Sequence, residues 1–136
     1  MDGKDLSGLS FLKMSIRNEI DALGIKPMRP EFQNIFRNTL AYWCNEILVK
    51  DYCYIDDVEE MKDIDAGMYD FMSSRGVRSK YGVSIVNREH LLIGFICIEY
   101  LTECEVDINN ISRTLMNNKA KIETLLDFAI NQKKGE

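Results

Sequence analysis

From Leu91 to Leu101 the chain reads Leu-Leu-Ile-Gly-Phe-Ile-Cys-Ile-Glu-Tyr-Leu, ten of eleven positions being apolar or glycine. This stretch has no polar face to meet water, so the rest of the chain must wrap it. It is shorter than the roughly 18 residues a membrane-spanning helix requires. Continuation through Glu103, together with helical spacing elsewhere, favours a helix hydrophobic all round at the centre of a bundle. A short buried strand is the competing reading. Asn87 stands where it would cap that helix.

The remaining sequence is sufficient for the wrapping. At 136 residues and 46% apolar content, folding should hide about two thirds of the unfolded chain's surface, enough for one core. Apolar residues recur at steps of three and four almost throughout. Leu9, Leu12, Ile16, Ile20 and Leu23 mark a first amphipathic helix near 7–23, stopped by Gly24. After Pro27 and Pro30, a second stripe carries Phe32, Phe36, Leu40, Trp43 and Ile47 and ends near Lys50. Asp56 or Asp57 caps a third segment bearing Val58, Met61, Ile64, Met68, Phe71 and Met72, which Gly67 breaks in two. Residues 73–84, with Gly76 and Gly82, read as a loop. Asp107 caps a short helix with Ile108, Ile111 and Leu115, and a last helix carries Ile122, Leu125, Leu126, Ala129 and Ile130. The expected fold is all-α: one domain over 1–136, a bundle of six to seven helices around a buried central helix. Short polar tails fall at about 1–6 and 132–136.

Motifs for chemistry are sparse. The single histidine, His90, follows Arg88-Glu89 in what reads as a first helical turn, without a nucleophile motif to serve. Cys44, Cys53, Cys97 and Cys104 lack the paired spacing of a zinc site, and Cys44 and Cys97 fall in apolar runs that suit buried thiols. The acidic stretch Asp56, Asp57, Glu59, Glu60, Asp63 and Asp65 fails the calcium-loop pattern and reads as a solvated face. Arg75, Arg78, Lys80 and Arg88, with Tyr81 among them, form a modest basic cluster. The formal charge of −5 argues against broad non-specific grip on nucleic acid. No metal, no cofactor and no enzymatic activity are expected.

Three stretches carry a family resemblance. Arg75-Gly76-Val77, followed by Asn87-Arg88-Glu89-His90-Leu91-Leu92-Ile93-Gly94-Phe95-Ile96, is similar to the first homology region of the Bcl-2 family. Phe36-Arg37 through Trp43 to Ile47 resembles its groove-lining second helix. Asn117-Asn118 through Leu125-Leu126-Asp127-Phe128-Ala129 resembles its second homology region. The chain thus looks like the compact viral members that carry no membrane anchor. Aligning Gly94-Phe95 places Leu91 where the family has its ligand-binding arginine, with Arg88 one turn away.

That resemblance implies an anti-apoptotic protein of the host-cell cytosol, recruited to mitochondria by its partners. It would sequester pro-apoptotic Bcl-2 proteins by taking their amphipathic death-motif helix into a hydrophobic groove. The implied groove consists of Trp43, Ile47, Met61, Ile64, Met68, Phe71, Leu91, Leu92 and Phe95, with Arg88 as charge partner. The alternative is an interaction module with a closed groove: a viral inhibitor of innate signalling, or an adaptor that pairs with itself as a homodimer. Residues 77–86, an apparent insertion, favour that alternative.

Overall fold

The computed structural model describes residues 13–14, 33, 35–102 and 106–134. In chain order these residues form β1 (Lys13–Met14), β2 (Ile35–Phe36), a 3-10 turn over Arg37–Leu40, α1 (Ala41–Lys50) and β3 (Tyr52–Ile55). A second 3-10 turn (Val58–Lys62), α2 (Ala66–Ser73), β4 (Ser79–Val86), β5 (Leu92–Tyr100) and α3 (Ile108–Lys134) follow. β1 and β2 pair antiparallel. β3, β4 and β5 form an antiparallel sheet in that order, with Cys53, Gly82 and Cys97 in one row across it. The fold is therefore mixed α/β, and the all-α expectation is corrected. The expected first helix lies outside the described residues, apart from positions 13–14, which form β1.

The correction centres on the apolar run. Leu92–Tyr100 is a half-buried strand that gives apolar residues to a core on each face of the sheet, Leu92 and Phe95 to one and Ile96, Ile98 and Tyr100 to the other, and so shows no polar alternation. Its three isoleucines, Phe95 and Tyr100 suit a pleated surface better than a helix interior. Asn87 does cap, but what it caps is a turn. Its Oδ1 accepts from the backbone N–H of Glu89 and Leu91 at 2.9 and 3.0 Å, and His90 takes the left-handed conformation, φ 62°, that closes the hairpin. The expected loop at 73–84 is likewise replaced, from Ser79 onward, by β4, which is buried over its first seven residues.

Two helical layers supply that burial. Alternation along β4 sends Lys80 and Gly82 to one face, Tyr81 and Val83 to the other. On the first face α1 presses Trp43 against the Gly82 backbone, and Ile47, Met61, Met68 and Met72 fill in around it. On the second face, Tyr81 and Val83 meet Ile111 and Leu115 of α3, flanked by Tyr54, Ile96, Ile98 and Tyr100. A bulge helps. Ile85 pairs with Gly94 but Val86 with Leu92, so Ile93 is an extra residue in β5 and both Leu92 and Phe95 reach the first core.

Local signals fix the helix ends. Asp57 accepts from Glu59 N–H at 3.0 Å, starting the 3-10 turn. Asp65 accepts from Met68 N–H at 3.2 Å, starting α2, and its other oxygen accepts from Tyr42 N–H at 3.1 Å, which ties α2 to α1. The break in this region falls at Asp63–Asp65, and Gly67 lies inside α2. Asp51 ends α1 in the left-handed conformation, φ 70°. The two helices expected after Asp107 are one helix of 27 residues.

A Cβ added at Gly82 would lie 2.4 Å from the Trp43 ring, so Gly82→Ala should destabilise the domain by about 1–3 kcal/mol through overpacking. Urea denaturation checks this. An unchanged midpoint would contradict the close approach of α1 to β4.

Candidate functional site

The ten residues implied as a groove divide between core and surface. Trp43, Ile47, Met61, Met68 and Leu92 are buried, and Phe71 and Phe95 are half-buried against them. Ile64 and Leu91 are exposed and belong to separate turns. Arg88 is exposed, and its Nη2 donates to Asp127 of α3 at 2.6 Å, an ion pair with the protein's own helix. Where the resemblance implied an open groove among helices, five of its residues pack together in the first core.

Part of the basic cluster lies inside that core. Lys80, 1% exposed, donates to Glu99 Oε2 at 2.8 Å, and Arg75 clasps the same carboxylate with Nη1 and Nη2 at 3.2 and 3.0 Å. The Lys80 ammonium sits 4.7 Å from the Trp43 ring centre, and the Arg75 guanidinium 4.4 Å from that of Phe71. Burial pushes the Glu99 carboxyl up, but Lys80 and Arg75 outweigh it and hold the pKa at about 2. Burial also works against the Lys80 charge, and the Cys97 sulfur and the Glu99 carboxylate overcome it, leaving its pKa above the ordinary lysine value. The two cations and one carboxylate are spent on each other and on two aromatic rings. Trp43 Nε1 is buried with no hydrogen-bond partner among the described residues.

A small cleft of about 200 Å³ opens at one end of the sheet, lined by Asp56, Asp57, Arg78, Ser79, Tyr81, Thr102 and Val106. The Tyr81 hydroxyl donates to Asp56 Oδ1 there at 3.0 Å. Burial first, and then that bond, raise its pKa to about 12. Among the described residues no group of three or more His, Cys, Asp or Glu side chains could hold a metal ion. Cys44 and Cys53 are buried and form no disulfide among the described residues, whereas Cys97 is exposed, unlike the buried position expected for it.

The other unusual surface is the outer face of α3. One row of the helix, spaced by four residues, meets the sheet: Ile111 and Leu115 with apolar contacts, then Lys119, Glu123 and Asp127 with polar ones. Lys119 Nζ donates to Ser84 O at 2.8 Å and to Glu123 at 2.8 Å. Glu123 accepts from Val86 N–H at 2.7 Å, next to the bulge that breaks the strand ladder, and Asp127 accepts from Arg88. These bonds turn the opposite face outward. In the first half that face carries Asn110, Arg113 and Asn117; in the second it carries Lys121, Leu125 and Phe128. Leu125 is 67% exposed, Phe128 62% and Leu126 40%. Leu125 and Leu126 belong to the apolar stripe expected of the last helix, and Phe128 does not; the polar row tying α3 to the sheet and the turn after it sets which way they face, and those partners lie about 35–40 positions away in the chain.

Comparison with protein-family models, curated proteins and solved structures finds no match to this chain. No helix among the described residues is long and apolar enough to cross a membrane.

The Glu99 site has a definite acid signature. Its pKa is lower in the folded chain than the ordinary 4.5, so its contribution is complete above about pH 5 and is lost as pH falls toward 2. The shift corresponds to about 3 kcal/mol. Glu99→Gln should therefore be less stable than the parent at neutral pH by about that amount, with the gap closing toward pH 2. Denaturation midpoints measured across this range check it, and a gap independent of pH would contradict the ion cluster.

Proposed function

We propose that the chain is an interaction domain whose working surface is the outer face of the second half of α3. The supporting observation is the contrast along one helix face, polar in the first half and apolar in the second, with Leu125 and Phe128 more than half exposed. Isolated exposed apolar residues are ordinary, but a contiguous group on one regular element marks a contact surface. The sheet and the polar row hold α3 so that the surface is presented as a preformed ridge, which lowers the ordering cost of docking.

This reading keeps the self-pairing adaptor raised by the sequence and does not carry forward the groove for a death-motif helix. Of that groove's residues, five are already packed against one another in the first core. A guest helix would have to displace Trp43 and Ile47, and opening a core of that size costs several kcal/mol.

The double variant Leu125→Glu, Phe128→Glu tests the surface in dilute solution, where each chain stands alone. Side chains that pack on nothing can be replaced with stability changes within about 0.5 kcal/mol. Thermal unfolding should therefore be nearly unchanged, while binding of a fluorescent dye specific for apolar surface should fall by about half or more. A large drop in unfolding temperature, or dye binding equal to the parent's, would contradict the proposal.

A further inference from the structure

We infer that α3 works as two mechanical parts: its first turns are fixed to the sheet, and the stretch from Lys119 on is a strap that opens as a unit about Asn117–Asn118. The contacts change character at that point. Ile111 and Leu115 are buried in the second core. Beyond Leu115, none of the described residues of α3 belongs to either core. Ile122 is half-buried, and Leu126, on the sheet-facing side, is still 40% exposed. Polar side chains hold this stretch instead. Lys119 Nζ donates to Ser84 O and Oγ at 2.8 and 3.0 Å and to Glu123 Oε2 at 2.8 Å. Glu123 accepts from Val86 N–H at 2.7 Å, and Asp127 accepts from Arg88.

Fasteners of this kind release easily. On opening, each polar group exchanges a protein partner for water, so little is lost per bond, whereas withdrawing Ile111 or Leu115 would uncover core. The Arg88–Asp127 pair is exposed on both sides and adds little. The second part therefore opens at lower cost than the first, as a sub-global unit.

The junction suits a bend. Asn117 and Asn118, exposed and among the weaker helix formers, lie between Leu115 and Lys119. Asn118 Nδ2 donates to Thr114 O at 2.8 Å, and the Thr124 hydroxyl to Ala120 O at 2.8 Å, so side chains compete for helix carbonyls on both sides of it. Glu123 is the clasp, since it joins the Val86 N–H of β4 to Lys119 of the helix. When the strap opens, Ile122 and Leu126 become accessible beside Leu125 and Phe128. That consequence for contact, though not the strap itself, rests on the reading of the outer face above.

Native-state hydrogen exchange of the full chain, read residue by residue by nuclear magnetic resonance, tests the strap. In the parent, the amides of 121–128 should share one level of protection, about tenfold or more below that of 112–116. Glu123→Ala removes the clasp without weakening the helix, because alanine is the better helix former. It should speed exchange at 121–128 and at Val86 about tenfold or more and leave the sheet amides of Tyr81 and Val83 unchanged. Glu123→Gln, which keeps an acceptor for the Val86 N–H, should restore part of the protection, and Asn117→Ala with Asn118→Ala should slow exchange at 121–128. Equal protection along 112–128 in the parent, or a smooth decline toward Lys134, would overturn the strap. So would a Glu123→Ala chain in which every amide, the sheet included, speeds up by the same factor. Dye binding by the Leu125, Phe128 double variant is a separate readout, so the outer surface can fail while the step in protection stands, and the reverse.

Discussion

The indole of Trp43 lies on the backbone of Gly82 so closely that no other residue fits beneath it. That contact sets the distance between α1 and the central strand, and most of the architecture follows. With Trp43 at the middle of the first face, Ile47 and the methionines of the 3-10 turn and α2 close around it. Tyr81 and Val83, the residues on either side of Gly82, must point the other way and need a cover of their own, which the first two turns of α3 provide. Strand β4 is thus enclosed between helical layers. β5 is hydrophobic on both faces because it belongs to the same sheet.

The same face accommodates a charge. Lys80 is two positions from Gly82 and as deeply buried as its apolar neighbours, a placement tolerable only because Glu99 stands opposite it in the strand pairing and Arg75 completes the cluster. The Trp43 ring that excludes a side chain at Gly82 also offers its π face to the ammonium. Breaking the cluster from one side leaves a buried charge unpaired, so these three residues fix the pairing of β4 with β5 as well as filling space.

What the sequence disclosed was local. The stripe through Trp43 and Ile47, the end of α1 near Lys50, and the capping roles near Asp57 and at Asp107 are read correctly from spacing and residue type, because each depends on neighbours within a turn. What it concealed was long-range. The run from Leu91 has the same composition whether as a buried helix or as a strand with a core on each side, and only its partner strand decides between them. Gly82 suggested a loop, but its reason is a tryptophan 39 positions earlier. Lys80 suggested one member of a basic cluster on a loop, since its carboxylate partner lies 19 positions on. The apolar residues Ile108, Ile111 and Leu115 and those from Ile122 on suggested two helices, whereas they lie on a continuous one. The exposed patch was visible as apolar residues, but which way it faced depended on Ser84, Val86 and Arg88.

The second face, the position of α3 and the outward turn of Leu125 and Phe128 all depend on the apolar run being a strand, paired to β4 at one edge of the sheet. Nuclear Overhauser contacts in the isotope-labelled chain test this directly. The structure requires cross-strand contacts linking Tyr81 with Ile98 and Val83 with Ile96, and contacts from the Trp43 ring to Gly82. Strong sequential amide–amide contacts through residues 91–101 without those cross-strand pairs would mean a helix there, and the sandwich together with its presented surface would be wrong.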